Sequence, residues 1–164
     1  MISRTALLAL ALTLSACGLQ PLYGGGGSGT VAASLRTIEV GPIEGQTGWL
    51  VRNKLVDRLG ESGSAAPAYR LDVKLDDNIT GFGIRGDRAV TRERRTLRAR
   101  YQLVSLANGT VVLDATAGSD AGIDVVSSEY ATVAAEQTAV ERLADVVADQ
   151  IVARLGSYAA RTSK

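Results

Sequence analysis

The chain has 164 residues, 18 basic and 17 acidic side chains, one cysteine and no histidine. This balance argues against a general nucleic-acid binder. The missing imidazole excludes Ser-His-Asp and Cys-His catalysis and the usual zinc sites, a lone cysteine closes no disulfide within the chain, and no motif singles out a carboxylate pair, so composition points away from an enzyme.

Met1 to Arg4 is a short basic segment, and the apolar run Ala6 to Leu14 falls short of the about 20 residues that span a bilayer as a helix. Leu14-Ser15-Ala16-Cys17 resembles a bacterial lipobox. That resemblance implies a signal peptide over residues 1–16 and acylation of Cys17, the alternatives being an ordinary secretory signal or a cytosolic chain with an apolar N-terminus. Removing Arg4 with the signal leaves 17 basic and 17 acidic residues. Gly18, and not aspartate, follows the cysteine, which resembles the pattern sent on to the outer membrane. Two or more acyl chains, at about 0.8 kcal/mol per buried methylene, make such an anchor stable.

Gln20-Pro21-Leu22-Tyr23 leads into Gly24–Gly29, a flexible glycine tether. Residues 17–34 form the lipidated tether, whose coil spans about 20 to 25 Å on average. The domain starts near Val31 or Leu35 and is assigned to residues 35–160, with a tail over 161–164. Its roughly 130 residues suit one hydrophobic core.

Leu35 to Val40 reads as a strand ended by Gly41-Pro42. Thr47 caps a helix carrying Val51, Leu55 and Leu59 at i, i+4 and i+8, stopped by Gly60. Tyr69, Leu71, Val73 and Leu75 alternate with Arg70, Asp72, Lys74 and Asp76 as a half-buried strand, with Asp76-Asp77 at its solvated end. A long strand follows, with Leu97, Ala99, Tyr101 and Leu103 on one side and Arg92, Arg94, Arg98 and Arg100 on the other.

Asn108-Gly109 marks a hairpin. A two-residue loop would set Leu103 opposite Asp114, a carboxylate on the core face. A three-residue loop Ala107-Asn108-Gly109, closing on Leu106 and Thr110 with Gly109 left-handed, instead pairs Leu103 with Leu113, Tyr101 with Ala115, Ala99 with Ala117 and Gln102 with Asp114. Glu129 to Leu155 reads as one amphipathic helix, capped by Ser127 or Ser128 and stopped by Gly156. Its stripe runs through Val133, Val140, Leu143, Ala144, Val147, Ile151 and Leu155, with Glu141, Asp145 and Asp149 opposite. The order strand, helix, three strands, helix predicts an α+β two-layer sandwich, two helices packed on one face of a four-stranded sheet.

The uncovered face would then carry arginines. Residues 85–100 hold Arg85, Arg88, Arg92, Arg94, Arg95, Arg98 and Arg100 against Asp87 and Glu93. Such planar forks suit bidentate contact with phosphate or carboxylate. Cross-strand pairing with Asp72 and Asp76 is the competing explanation, and two aspartates do not neutralise this row. Gly81-Phe82-Gly83-Ile84-Arg85-Gly86 matches the spacing of a dinucleotide fingerprint, but a strand and not a helix follows it, so it reads as a hairpin tip and no cofactor is expected. Phe82 and Ile84 project from that tip, either packed in the loop or set against an apolar partner.

These residues together resemble the LptE family of lipopolysaccharide-assembly lipoproteins, in its alphaproteobacterial form. The likeness is carried by Cys17-Gly18-Leu19-Gln20-Pro21-Leu22-Tyr23-Gly24, the Tyr-x-Leu strand at Tyr69, and the arginine-rich strand into Tyr101-Gln102-Leu103. Ser128-Glu129-Tyr130-Ala131-Thr132, Ala134-Ala135-Glu136 and the closing Leu143-Ala144-Asp145 to Ile151 belong to it as well. Leu19 stands where phenylalanine is common in the family.

The resemblance implies a non-enzymatic subunit on the periplasmic side of the outer membrane, anchored through acylated Cys17. Its partners would be the β-barrel LptD and lipopolysaccharide, with Arg85, Arg88, Arg92, Arg94, Arg98 and Arg100 as lipopolysaccharide-binding candidates and Phe82 and Ile84 as partner contacts. The alternative is a lipoprotein module that activates a cell-wall synthase or serves an ABC transporter.

Overall fold

The computed structural model describes residues 29–60, 66–84 and 90–162. Its elements run α1 (Thr30–Leu35), β1 (Ile38–Val40), α2 (Gly45–Leu59), β2 (Tyr69–Ile84), β3 (Val90–Ser105), β4 (Val111–Asp124) and α3 (Glu129–Thr162). The sheet has the order β1-β2-β3-β4, with β1 parallel to β2 and the long strands β2, β3 and β4 antiparallel. A parallel pair needs a crossover, and α2 supplies it. Both long helices cover one face, which gives the α+β layering expected from the order of elements.

Alternation decides which strand residues are buried. Leu71, Val73, Leu97, Ala99, Tyr101 and Leu103 face the helices, where they meet Val51, Leu55 and Leu59 of α2 and Val140, Leu143, Val147, Ile151 and Leu155 of α3. Gly60, at φ 81°, ends α2 as its position suggests. Along its flank α2 is tied to α3 by Lys54 to Asp145 (2.8 Å) and Arg58 to Asp149 (2.6 Å). Asp145 and Asp149 therefore face a neighbouring helix, not open solvent alone.

Several expectations are corrected. Leu35 ends a helix and does not open a strand, since only Ile38–Val40 pairs with β2. Its side chain is still buried, because the three-residue step from Leu35 to Ile38 returns both to the core. Helix α1 also takes residues 30–34 out of the coil expected of the tether. Thr47 does not cap α2, which starts after Glu44; its hydroxyl donates to Asp77 Oδ2 at 2.7 Å. Asp76 and Asp77 lie mid-strand, because β2 continues to Ile84.

Ser128 does cap α3, its Oγ accepting from the Ala131 N–H at 3.4 Å. Gly156 does not end that helix. It is buried, and the helix runs on to bury Ala159 as well, which offsets a propensity penalty of about 1 kcal/mol for glycine. Val133 leaves the stripe and is 56% exposed.

The hairpin register is the one expected through Leu103 and Leu113, Gln102 and Asp114, Tyr101 and Ala115, and Ala99 and Ala117. Its closure differs by one residue. Ser105 N–H bonds the Thr110 carbonyl at 2.9 Å, and the shift after Leu103, which brings Val104 opposite Val111, restores the deeper register. Gly109 takes φ 70°.

Candidate functional site

Register sets the even-numbered residues of β2, β3 and β4 on the uncovered face. Arg92, Arg94, Arg98 and Arg100 stand there, all exposed. Three of them have acidic partners, which come from β4 and not from β2. Arg92 Nε donates to Asp124 Oδ1, Arg98 Nη2 to Asp120 Oδ1 and Arg100 Nη2 to Asp114 Oδ2, each at 3.0 Å. Asp72 instead accepts two bonds from Arg70, and Asp76 one from Asn78.

With Glu39 beside Arg70 at the β1 edge, the described strands place six basic and six acidic side chains on this face. The expected surplus of positive charge is therefore cancelled within the described residues. Arg85 and Arg88 lie outside them, as does the side chain of Ile84, whose backbone pairs with Val90.

Two glycines on β4 shape the row. Arg98 reaches Asp120 by lying across its register partner Gly118, where a Cβ would sit 2.5 Å from Arg98 Cδ. Arg94 has Gly122 opposite, and a Cβ there would meet nothing within 4 Å. Arg94 turns the other way, its guanidinium carbon 5.4 Å from the centroid of the Phe82 ring. That ring is 39% exposed. Among the described residues no carboxylate holds Arg94, and an open shelf over Gly122 lies beside it. A cation over an aromatic face at such an exposed site contributes about 0.5–1 kcal/mol, and the guanidinium keeps its outward donors.

Arg95 belongs to the opposite face. Its Nε and Nη2 donate to both oxygens of Asp77 at 2.8 and 2.6 Å, and Nη1 donates to the Glu136 carbonyl at 3.2 Å. With the Thr47 hydroxyl on Asp77, one cluster joins β2, β3, α2 and α3. Hydrogen bonding from Arg95 holds the Asp77 carboxyl below the usual carboxylate range, against the opposing effect of burial. Asp114 is lowered too, by Arg100 first and Gln102 second.

No helix among the described residues is long and apolar enough to cross a membrane.

The family model for LptE, described as lipopolysaccharide-assembly, matches residues 35–155. The chain belongs to the LptE family. It is a non-enzymatic lipopolysaccharide-assembly lipoprotein.

Solved structures similar to this LptE-family chain include a predicted lipoprotein of Caulobacter crescentus CB15, at 29% identity and a TM-score of 0.64 over 79% of this chain and 96% of that one. Rare lipoprotein B from Shewanella oneidensis is similar at 11% identity and a TM-score of 0.60, over 77% of this chain and 98% of its own. A minor lipoprotein from Acinetobacter baumannii is similar at 12% identity and a TM-score of 0.54, over 75% and 92%. The last two likenesses concern the fold alone. Comparison with curated proteins gives no match.

Proposed function

We propose that this LptE-family chain is a subunit of the lipopolysaccharide translocon, held on the periplasmic side of the outer membrane by acylated Cys17. There it works with the β-barrel LptD, helping the barrel assemble and lipopolysaccharide reach the cell surface. The ligand's fixed charges are phosphates and carboxylates on lipid A and the inner-core sugars, which guanidinium forks bind well. The observation that carries the ligand reading is Arg94, held against Phe82 and, among the described residues, by no carboxylate, beside the shelf over Gly122. Arg92, Arg98 and Arg100 join only by exchanging a β4 aspartate for a ligand anion. Arg85 and Arg88 extend the candidate row in sequence. Phe82 and Ile84 are the proposed contacts to the barrel.

Affinity purification of the full chain from its own outer membrane tests the assignment. Co-recovery of a large β-barrel with lipopolysaccharide is expected. Recovery of inner-membrane proteins instead would replace it with a role beside a cell-wall synthase or an ABC transporter.

A further inference from the structure

We propose that an apolar pocket formed by α1, the sheet and the end of α3 receives this chain's own Leu22-Tyr23. The pocket, about 340 Å³, is lined by Ala33 of α1, Ile38 of β1, Leu103 of β3, and Leu155, Tyr158 and Ala159 of α3, among others. None of its lining residues is charged at neutral pH. Two of its walls, α1 and the part of α3 beyond Gly156, are the elements that hydrophobic periodicity does not foretell.

The hydroxyls lining it select the occupant. Ser34 Oγ donates to the Thr30 carbonyl at 3.0 Å, Thr37 Oγ1 to the Ser34 carbonyl at 2.7 Å and Thr162 Oγ1 to the Tyr158 carbonyl at 3.1 Å. With their protons engaged, these three offer acceptor lone pairs, while the Tyr69 and Tyr158 hydroxyls, which also line the pocket, can donate as well as accept. The pocket thus suits an uncharged, apolar group that carries a hydroxyl able both to donate and to accept. A tyrosine beside a leucine meets both requirements, whereas an acyl chain brings no donor.

Connectivity allows the docking. Residues 18–29 contain no charged side chain, and Leu22-Tyr23 is separated from α1 by Gly24–Gly29. Six extended residues reach about 20 Å. Ala33 lies one helical turn past Gly29, the residue that precedes α1, so the dipeptide can fold back onto the pocket. Docking leaves residues 18–21 between Cys17 and the domain, a span of at most about 18 Å. The domain is then held near its anchor and does not swing on the whole glycine tether. That last consequence rests on acylation of Cys17; the docking does not.

Hydrogen–deuterium exchange on residues 17–164, as a Cys17→Ser form without lipid, tests the proposal. Amides at Leu22 and Tyr23 should exchange on the order of tenfold more slowly than in a free chain. A Leu22→Ser, Tyr23→Ser double variant should speed exchange in α1 and in the last turns of α3 by a similar factor. Ala33→Arg, a charge set at an exposed rim position, should release the segment and leave β2 and β3 unchanged. Free-chain exchange at residues 22 and 23 would overturn the proposal. So would α1 exchange indifferent to the double variant. Protection that arises only in acylated protein, or on adding a fatty acid, would assign the pocket to lipid and overturn it as well.

Discussion

Arg95 grips Asp77 through two hydrogen bonds, at 2.6 and 2.8 Å, on the helix-covered side of a sheet whose other arginines point away from the helices. The pair is largely shielded from water, with side-chain exposures of 15% and 20%. Asp77→Asn leaves a guanidinium without its counter-charge, so a loss of about 2–3 kcal/mol is expected at neutral pH. The Asp77 pKa is lowered on folding, so its stabilisation is present above the unfolded value of about 3.9 and is lost as pH falls through the lower folded value. Thermal unfolding of both proteins across pH checks this. The gap in Tm should be full near neutrality and should close in strong acid.

Arg94 should matter more for lipopolysaccharide than its paired neighbours. Arg94→Ala is expected to weaken binding up to about fivefold, on the order of 1 kcal/mol, at low salt, with the difference shrinking as salt rises. Arg98→Ala should do less, since the wild-type side chain is already held by Asp120. Binding titrations at two salt concentrations decide between them, and the reverse order would make the paired arginines the ligands. Changing Arg92, Arg94 and Arg98 together to Glu should abolish salt-sensitive binding. It should also lower Tm, because two of the new carboxylates would face Asp124 and Asp120.

Phe82→Ser should leave Tm nearly unchanged, for the ring is part-exposed and its described partner is Arg94. Recovery of the barrel partner should fall. A large drop in Tm with undiminished recovery would place Phe82 in the domain's own packing and not at an interface.

Cys17→Ala should abolish incorporation of a fatty-acid probe and lipoprotein-type cleavage. Metabolic labelling of the full chain measures both, and a variant that still takes up the label would remove Cys17 as the anchor.

The layers and the strand faces were legible because burial imposes period two on strands such as Tyr69–Leu75 and a helical stripe on Val140–Leu155. The ends of elements were not. Gly156 looks like a stop until α1 and the sheet close around the helix beyond it, and Leu35 looks like strand because its burial does not depend on its backbone shape. The arginine row stands on the face that alternation gives it, and cross-strand pairing does answer it, but through Asp114, Asp120 and Asp124 of β4 and not through Asp72 and Asp76. The signal was present in the hairpin register itself: pairing Gln102 with Asp114, carried down the strands, also brings Asp120 and Asp124 beside Arg98 and Arg92. Local counting along one strand sees charge, whereas register shows who answers it.

Equal numbers of opposite charges on the described uncovered face have a consequence at longer range. Interleaved ion pairs act as short dipoles whose potential fades within roughly one Debye length, about 8 Å at physiological salt. From a distance, the described part of this face does not attract an anionic membrane and gives no electrostatic acceleration to an approaching ligand. Recognition there must take place at contact, where an incoming phosphate competes with an aspartate for the same guanidinium. Such a surface suits the proposed role beside densely charged glycolipids, since it can rest next to them without adhering and bind only where the local geometry frees a cation.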